Sequence, residues 1–152
     1  MEKIKHFNQF LLEYMTPEGR WGNVGAGILP YCPSTKRYLI PLRSDDVLEP
    51  NTWGIWGGKI EDHDNGIEKT AIREFREETN YKGDIKIKSI SVFKSDNFQY
   101  HNFLGIIDNE FTPELDWETS GYKWMTQKEL IELNDKHFGL KNIIDNSLNK
   151  LI

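Results

Sequence analysis

The sequence predicts a fold of the α/β or α+β class, with helices flanking a mixed sheet. Three observations carry this. Short runs rich in β-branched and aromatic residues recur along the chain. Segments with apolar residues at helical spacing fall between them. Clusters of Gly, Pro, Asn and Asp punctuate both. Interspersed strands and helices bury their apolar faces best as layers around one sheet. The chain has 152 residues and reads as a single domain over 1–152, without repeats, low-complexity tracts or linkers.

The elements follow in order. Ile4, Phe7, Leu11 and Tyr14 stand at helical spacing, and the run stops at Thr16-Pro17-Glu18-Gly19. Asn23 to Tyr31 reads as a strand, and Tyr38 to Leu42 as its hairpin partner across a Ser34-Thr35-Lys36 turn. Ser44 to Thr52 is a polar loop, and Trp53 to Ile60 is Gly-rich and extended. Gly66 to Asn80 reads as a helix. Ile85 to Phe93 alternates and pairs with Phe98 to Ile107 around Asp96-Asn97. Asn109 to Thr119 is an acidic loop, and Tyr122 to Met125 a last strand. Thr126 caps a helix with Glu129 in a capping box, and a final helix begins near Leu140.

Composition excludes several classes. Asp and Glu outnumber Lys and Arg by 24 to 19, so the formal charge of -5 argues against broad attraction to nucleic acid. A single cysteine, Cys32, excludes an intrachain disulfide framework and a Cys-rich zinc site. It reads as a half-buried apolar residue without a basic neighbourhood to activate it. His6, His63, His101 and His137 lack metal-ligand spacing. No apolar run reaches the ~20 residues that span a bilayer, and the charged N-terminus is unlike a signal peptide. A soluble, cytoplasmic protein with no membrane partner is the expectation.

The informative stretch runs from Gly57-Gly58-Lys59 to Arg73-Glu74-Phe75-Arg76-Glu77-Glu78. A helix places Glu74, Glu77 and Glu78 on one face, where like charges repel. An oxygen-only set of this kind suits Mg²⁺ or Mn²⁺. Rotation by about 100° per residue clusters Ile67, Ala71 and Phe75 on one side. Glu78 and Glu74 border that stripe, while Lys69, Arg73 and Arg76 take the water-facing arc. A merely solvated acidic face would turn its carboxylates outward instead. The Gly pair allows close backbone approach to a phosphate or a metal.

Gly58 through Tyr81 resembles the box of the Nudix (MutT-like) hydrolases, whose pattern ends in Arg-Glu-apolar-x-Glu-Glu-x-Gly-apolar. This sequence departs from it in three ways. The interval from Gly58 to Arg73 is one residue longer than the pattern, Asp64 or Asn65 stands for the usual first Glu, and Asn80 replaces a Gly. Asn still tolerates the left-handed conformation of a helix C-cap. The resemblance implies an α/β/α sandwich around a mixed sheet. It also implies hydrolysis of a diphosphate bond in a nucleotide, whether nucleoside triphosphate, dinucleotide or nucleotide sugar.

The resemblance further implies that Glu74, Glu77 and Glu78, with the Gly57 carbonyl, hold Mg²⁺ or Mn²⁺. Such ions neutralise the diphosphate and acidify a bound water. Either Glu74 or a loop carboxylate deprotonates that water. Glu118, just before the last strand, is the loop candidate, with Glu110, Glu114 and Asp116 as competitors. Arg73 orients a carboxylate. Arg43, Trp56 and Tyr100 are the candidate substrate-binding residues, the aromatics by stacking on a base. Two other readings stand beside the enzyme: a Nudix-fold binding or regulatory module without catalysis, and an RNA 5′-end pyrophosphohydrolase. Retention of all three box acids favours the enzyme, and the net charge disfavours RNA. A monomer or a homodimer is compatible with the sequence.

Overall fold

The computed structural model describes residues 24–95 and 98–147. The expected helix around Ile4 to Tyr14 and the Asp96-Asn97 turn lie outside the described residues. Among the described residues, six strands and three helices follow in chain order: β1 (Val24–Cys32), β2 (Arg37–Arg43), β3 (Trp56–Lys59), α1 (Ile67–Thr79), β4 (Lys86–Ser95), β5 (Phe98–Ile106), β6 (Thr119–Thr126), α2 (Gln127–Glu132) and α3 (Phe138–Ser147). The strand and helix elements expected within the described residues are present, with ends shifted by a few residues.

The sheet runs β4-β5-β1-β2-β6, with β3 pairing β1 off this path. It is mixed: β1 and β5 are parallel from Val24↔Gln99 to Tyr31↔Ile106, while the other pairs are antiparallel. The expected β1–β2 hairpin is therefore only its tip, at Tyr31↔Tyr38 and Cys32↔Arg37. Below the tip the same side of β1 pairs with β3, from Gly25↔Lys59 to Ile28↔Trp56. Pro30, which has no N–H to donate, falls where β1 passes from one partner to the other. The other edge of β2 pairs with β6 from Arg37↔Thr126 to Arg43↔Thr119. Where β1 and β2 separate, the segment before β3 bridges to β2, Trp53 opposite Leu42 and the Gly54 N–H donating to the Pro41 carbonyl.

Each sheet face carries a core. On one, α1 packs Ala71 and Phe75 against Ala26, Ile28, Leu39, Trp56 and Phe103. Phe75 is fully buried and meets Trp56 edge-on, with centroids 6.2 Å apart. Truncating such a side chain to Ala costs about 3–5 kcal/mol. On the other, Leu130, Leu140 and Ile143 of α2 and α3 cover Leu29, Tyr38, Ile40 and Met125. Cys32 is fully rather than half buried, at 0% exposure. Among the described residues no helix is long and apolar enough to cross a membrane.

Local signals set the helix ends. α1 ends at Asn80, whose φ of 59° is left-handed and whose N–H donates to the Arg76 carbonyl. Asn therefore does here what Gly does in the family pattern. Thr126 and Glu129 form the expected capping box at the start of α2.

Candidate active site

The site grows from the packing of α1 on β3. Gly57 and Gly58 are required by closeness. A Cβ at Gly57 would lie 2.3 Å from the Ala26 carbonyl oxygen, and one at Gly58 would lie 2.4 Å from the Glu74 carboxyl carbon. Without side chains, β3 admits the Glu74 and Glu78 carboxylates directly onto its backbone. Glu78 is buried, and its Oε1 accepts the Gly57 N–H at 2.9 Å. Glu74 lies one turn earlier, its side chain 17% exposed.

Crowding and burial push both acids up. Burial is the largest cause for Glu74, Glu77 and Glu118 add repulsion, Arg73 opposes, and the carboxyl rises to about 7. Burial again leads for Glu78, with repulsion from Glu74, Glu118 and Asp116 against the Gly57 amide, and the carboxyl lies well above its usual range.

Arg73 corrects the water-facing arc expected from helix rotation. Its side chain is 16% exposed and reaches along α1 into the acid cluster. Nε donates to Asp64 Oδ1 at 2.8 Å and Nη2 to Oδ2 at 3.0 Å. Nη1 is shared between Glu74 Oε1 at 3.1 Å and Glu77 Oε2 at 3.2 Å. Asp64 Oδ2 also accepts the Glu61 N–H and the Thr70 hydroxyl. The loop before α1 is thereby fixed to the helix through one carboxylate.

Across from the helix, Glu118 faces a cleft of about 420 Å³ that Glu74, Glu78, Gly57 and Gly58 also line. The acidic loop sorts its other members. Glu110 is locked to Arg37, Nε donating at 2.7 Å, and Glu114 accepts the Asn80 amide at 2.9 Å. Asp116 accepts the Glu118 N–H at 3.0 Å. Glu77 is outside the cleft lining, with its side chain 58% exposed.

The three substrate-binding candidates fare differently. Arg43 lines the cleft, but its Nε donates to the Leu48 carbonyl at 2.9 Å and so braces the 44–52 loop. Trp56 is fully buried, its indole N–H donating to the Leu39 carbonyl, and it has no face left for a base. Its side chain points into the α1 core because the alternation along β3 turns it inward. Tyr100 is 4% exposed, stacked on Phe98, and its hydroxyl lies beside Gly27 and Gly57. Neither aromatic is a stacking platform. Both support the glycine strand from within.

Two features escaped sequence reasoning. Trp117, 65% exposed, lines the cleft mouth beside Leu48. Its carbonyl accepts the Ser44 hydroxyl at 2.8 Å, which holds its backbone against the 44–52 loop. The signal was its adjacency to Glu118, masked by the expectation that tryptophans are core. The second is the buried Glu49–His137 pair, with Nε2 3.2 Å from Oε2, which anchors the same loop to the start of α3.

As the side chains stand, no three His, Cys, Asp or Glu groups among the described residues converge to hold a metal ion. The donor chemistry nonetheless fits a hard cation. The cleft carboxylates are all-oxygen, crowded and partly desolvated, and Arg73 matches only one side of Glu74.

Fold and site together define an α/β/α sandwich with a carboxylate-lined cleft where a glycine strand meets an acidic helix. The NUDIX domain model matches residues 22–146, and the chain belongs to this family. It is 32% identical over 98 residues to a Bacillus subtilis (strain 168) protein named "Putative 8-oxo-dGTP diphosphatase", a match covering 63% of this chain and 62% of that protein. The chain thus spans less than two thirds of that relative's length. The fold is similar to that of the E. coli dihydroneopterin triphosphate pyrophosphohydrolase, with TM-score 0.64, 19% identity and coverage of 84% of this chain and 96% of that one. It is also similar to the NUDIX domain of Shewanella oneidensis NrtR complexed with ADP ribose, with TM-score 0.67, 17% identity and coverage of 95% and 98%. At these identities the two structures establish the fold.

Proposed function

We propose that this chain hydrolyses a diphosphate bond in a nucleotide, using a divalent cation held in the acidic cleft. One observation carries the reading. Glu74, Glu78 and Glu118, from a helix and an opposing loop, converge on a single cleft floored by Gly57 and Gly58. Glu74, Glu77 and Glu78, with the Gly57 carbonyl, would hold Mg²⁺ or Mn²⁺. When bound, such an ion neutralises phosphate charge and acidifies water.

The chain's own groups do the rest. Arg73 sets the rotamers of Glu74 and Glu77. Glu118 takes the proton from the attacking water, with Glu74 as the alternative base. The Gly57-Gly58 backbone lets the phosphates approach closely. The exposed Trp117 indole at the mouth offers a planar face for the base, and Trp suits a place where one side is apolar and the other wet. Its position supports nucleotides over bare polyphosphates.

A phosphate-release screen tests the reading across (d)NTPs, 8-oxo-dGTP, dinucleotides and nucleotide sugars, with Mg²⁺ and with Mn²⁺. The B. subtilis relative's name puts 8-oxo-dGTP in the first panel. Turnover of at least one nucleotide, abolished by EDTA, is the expected result. Saturable nucleotide binding without turnover of any panel member would instead make the chain a binding module.

A further inference from the structure

We propose a second ligand site, for a small organic anion, on the sheet face opposite α1. The β1–β2 tip and the start of α2 border an open depression of about 510 Å³, lined by Tyr31, Lys36, Tyr38, Thr126, Gln127 and Lys128. That is the size range of small-molecule sites. It shares no lining residue with the acidic cleft. Along β1, Tyr31 lies four residues beyond Gly27, the partner of Gly57, which is about 13 Å of strand.

Three of its donors, at Lys36, Tyr38 and Lys128, are unspent, while the Thr126 hydroxyl is committed to the capping box. Tyr38 is completely buried, yet its hydroxyl has no hydrogen-bond partner. A buried unsatisfied hydroxyl is uncommon and costs free energy, so it calls for a reason. Burial pushes the Tyr38 phenol up, and the group stays protonated and able to donate. Among the described residues, neither the Lys36 nor the Lys128 ammonium has an ion-pair or hydrogen-bond partner.

The nearby acids are already matched. Glu110 is locked to Arg37, and Glu129 is held in the capping box with Lys123 3.4 Å away. Lys36 and Lys128 are exposed at the rim, while the Tyr38 hydroxyl is sealed beneath the floor, so an entering molecule meets two ammonium groups and gains the hydroxyl as the floor opens. An anion answers all three. The Tyr31 and Tyr38 rings, centroids 4.7 Å apart, give the wall a carbon surface. That surface matches a ligand whose phosphate or carboxylate is carried on an organic body.

The test is an amide chemical-shift titration in EDTA with phenyl phosphate and, separately, with benzoate. Saturable shifts at Lys36, Arg37 and Gln127–Lys128, without matching shifts at Gly57–Lys59, are expected for at least one probe. The tighter probe tells phosphate from carboxylate. A Lys36→Ala/Lys128→Ala double variant should weaken that binding about tenfold or more while leaving nucleotide turnover and melting unchanged. Tyr38→Phe should weaken it severalfold without lowering stability, because it removes a hydroxyl that has no partner in the free protein. Shifts confined to the acidic cleft, no saturation by either probe, or double-variant binding equal to wild type would each overturn the proposal.

Discussion

Arg73 grips Asp64 with two parallel hydrogen bonds, Nε to Oδ1 and Nη2 to Oδ2, at 2.8 and 3.0 Å. The fork is the strong form of an arginine–carboxylate pair. Asp64, its side chain 3% exposed, thereby sets where Arg73 can reach Glu74 and Glu77. Asp64→Asn keeps the shape and loses the charge. It should cost about 2 kcal/mol in denaturant unfolding and lower turnover by letting Arg73 drift. The Arg73 guanidinium holds the Asp64 carboxyl well below its usual range. A depressed acid stabilises above its unfolded pKa, about 4, and loses that contribution as pH falls further. Acid unfolding of Asp64→Asn should therefore be shallower than wild type. Identical acid limbs would remove the pair from the stability argument.

Glu74 and Glu78 act in the opposite direction. Both carboxyls are raised in the fold, Glu74 to about 7. Between about pH 4.3 and 7 the native state then holds protons that the unfolded chain has released, so stability falls as pH rises. In EDTA, wild type should lose more melting temperature from pH 5 to pH 8 than Glu74→Gln does. Mg²⁺ or Mn²⁺ should restore it chiefly at pH 8, where the ligands are deprotonated. Equal metal stabilisation at both pH values would contradict carboxylate ligation.

Turnover tests the box acids directly. Glu78→Gln and Glu77→Gln should each reduce kcat/KM at least about a hundredfold, or ~2.7 kcal/mol, with far-UV spectra unchanged. The two residues start from different places, Glu78 buried on the Gly57 amide and Glu77 exposed on Arg73. A tenfold or smaller loss at Glu77 alone would confine the site to the cleft-lining acids.

The fold was legible because its periodicities are clean, and the helix was legible down to its left-handed Asn80 stop. The acid cluster was legible because helical spacing alone puts Glu74 and Glu78 against the apolar stripe. What misled was treating charge as a proxy for exposure. Arg73 has more to gain from three carboxylates than from water, so it leaves the arc that rotation assigns to it. Aromatic side chains near a motif misled for the converse reason. Trp56 and Tyr100 precede or underlie the glycines, yet strand alternation turns them into the core, while Trp117 sits on a loop with no such constraint. The pairing of Glu49 with His137 joins positions 88 apart in number and leaves no local pattern to read.

That pair yields a stability prediction with a functional echo. Both side chains are 4% exposed, and Trp53 takes the His137 N–H on its carbonyl beside them. Removing one partner of a buried polar pair leaves the other group unsatisfied, typically at about 1–3 kcal/mol. Glu49→Ala should lower stability by that order and also raise KM, because the 44–52 loop walls the cleft. A variant that loses stability while keeping wild-type KM would uncouple the anchor from the loop's geometry.

Glu118 is the sharpest assignment to test, because its loop offers four acids and the structure separates them. Glu110 is committed to Arg37 and Glu114 to Asn80, so neither is free to take a proton from water in the cleft. Asp116 holds the Glu118 N–H and shapes the turn. Glu118 lines the cleft opposite Glu74 and Glu78, and its charge raises both. A positioned base contributes roughly 10²–10⁴-fold. Glu118→Gln should lower kcat tenfold or more at an unchanged melting temperature. Glu110→Gln should act on stability, through Arg37, and leave kcat within about twofold, far below what a positioned base supplies. The pH–rate profile separates roles: losing the base removes the acid-side limb, whereas losing only a metal ligand shifts the cation concentration needed for half-maximal rate. If Glu118→Gln turns over like wild type, the base lies on the helix, and Glu74, raised to about 7, is the group poised to serve.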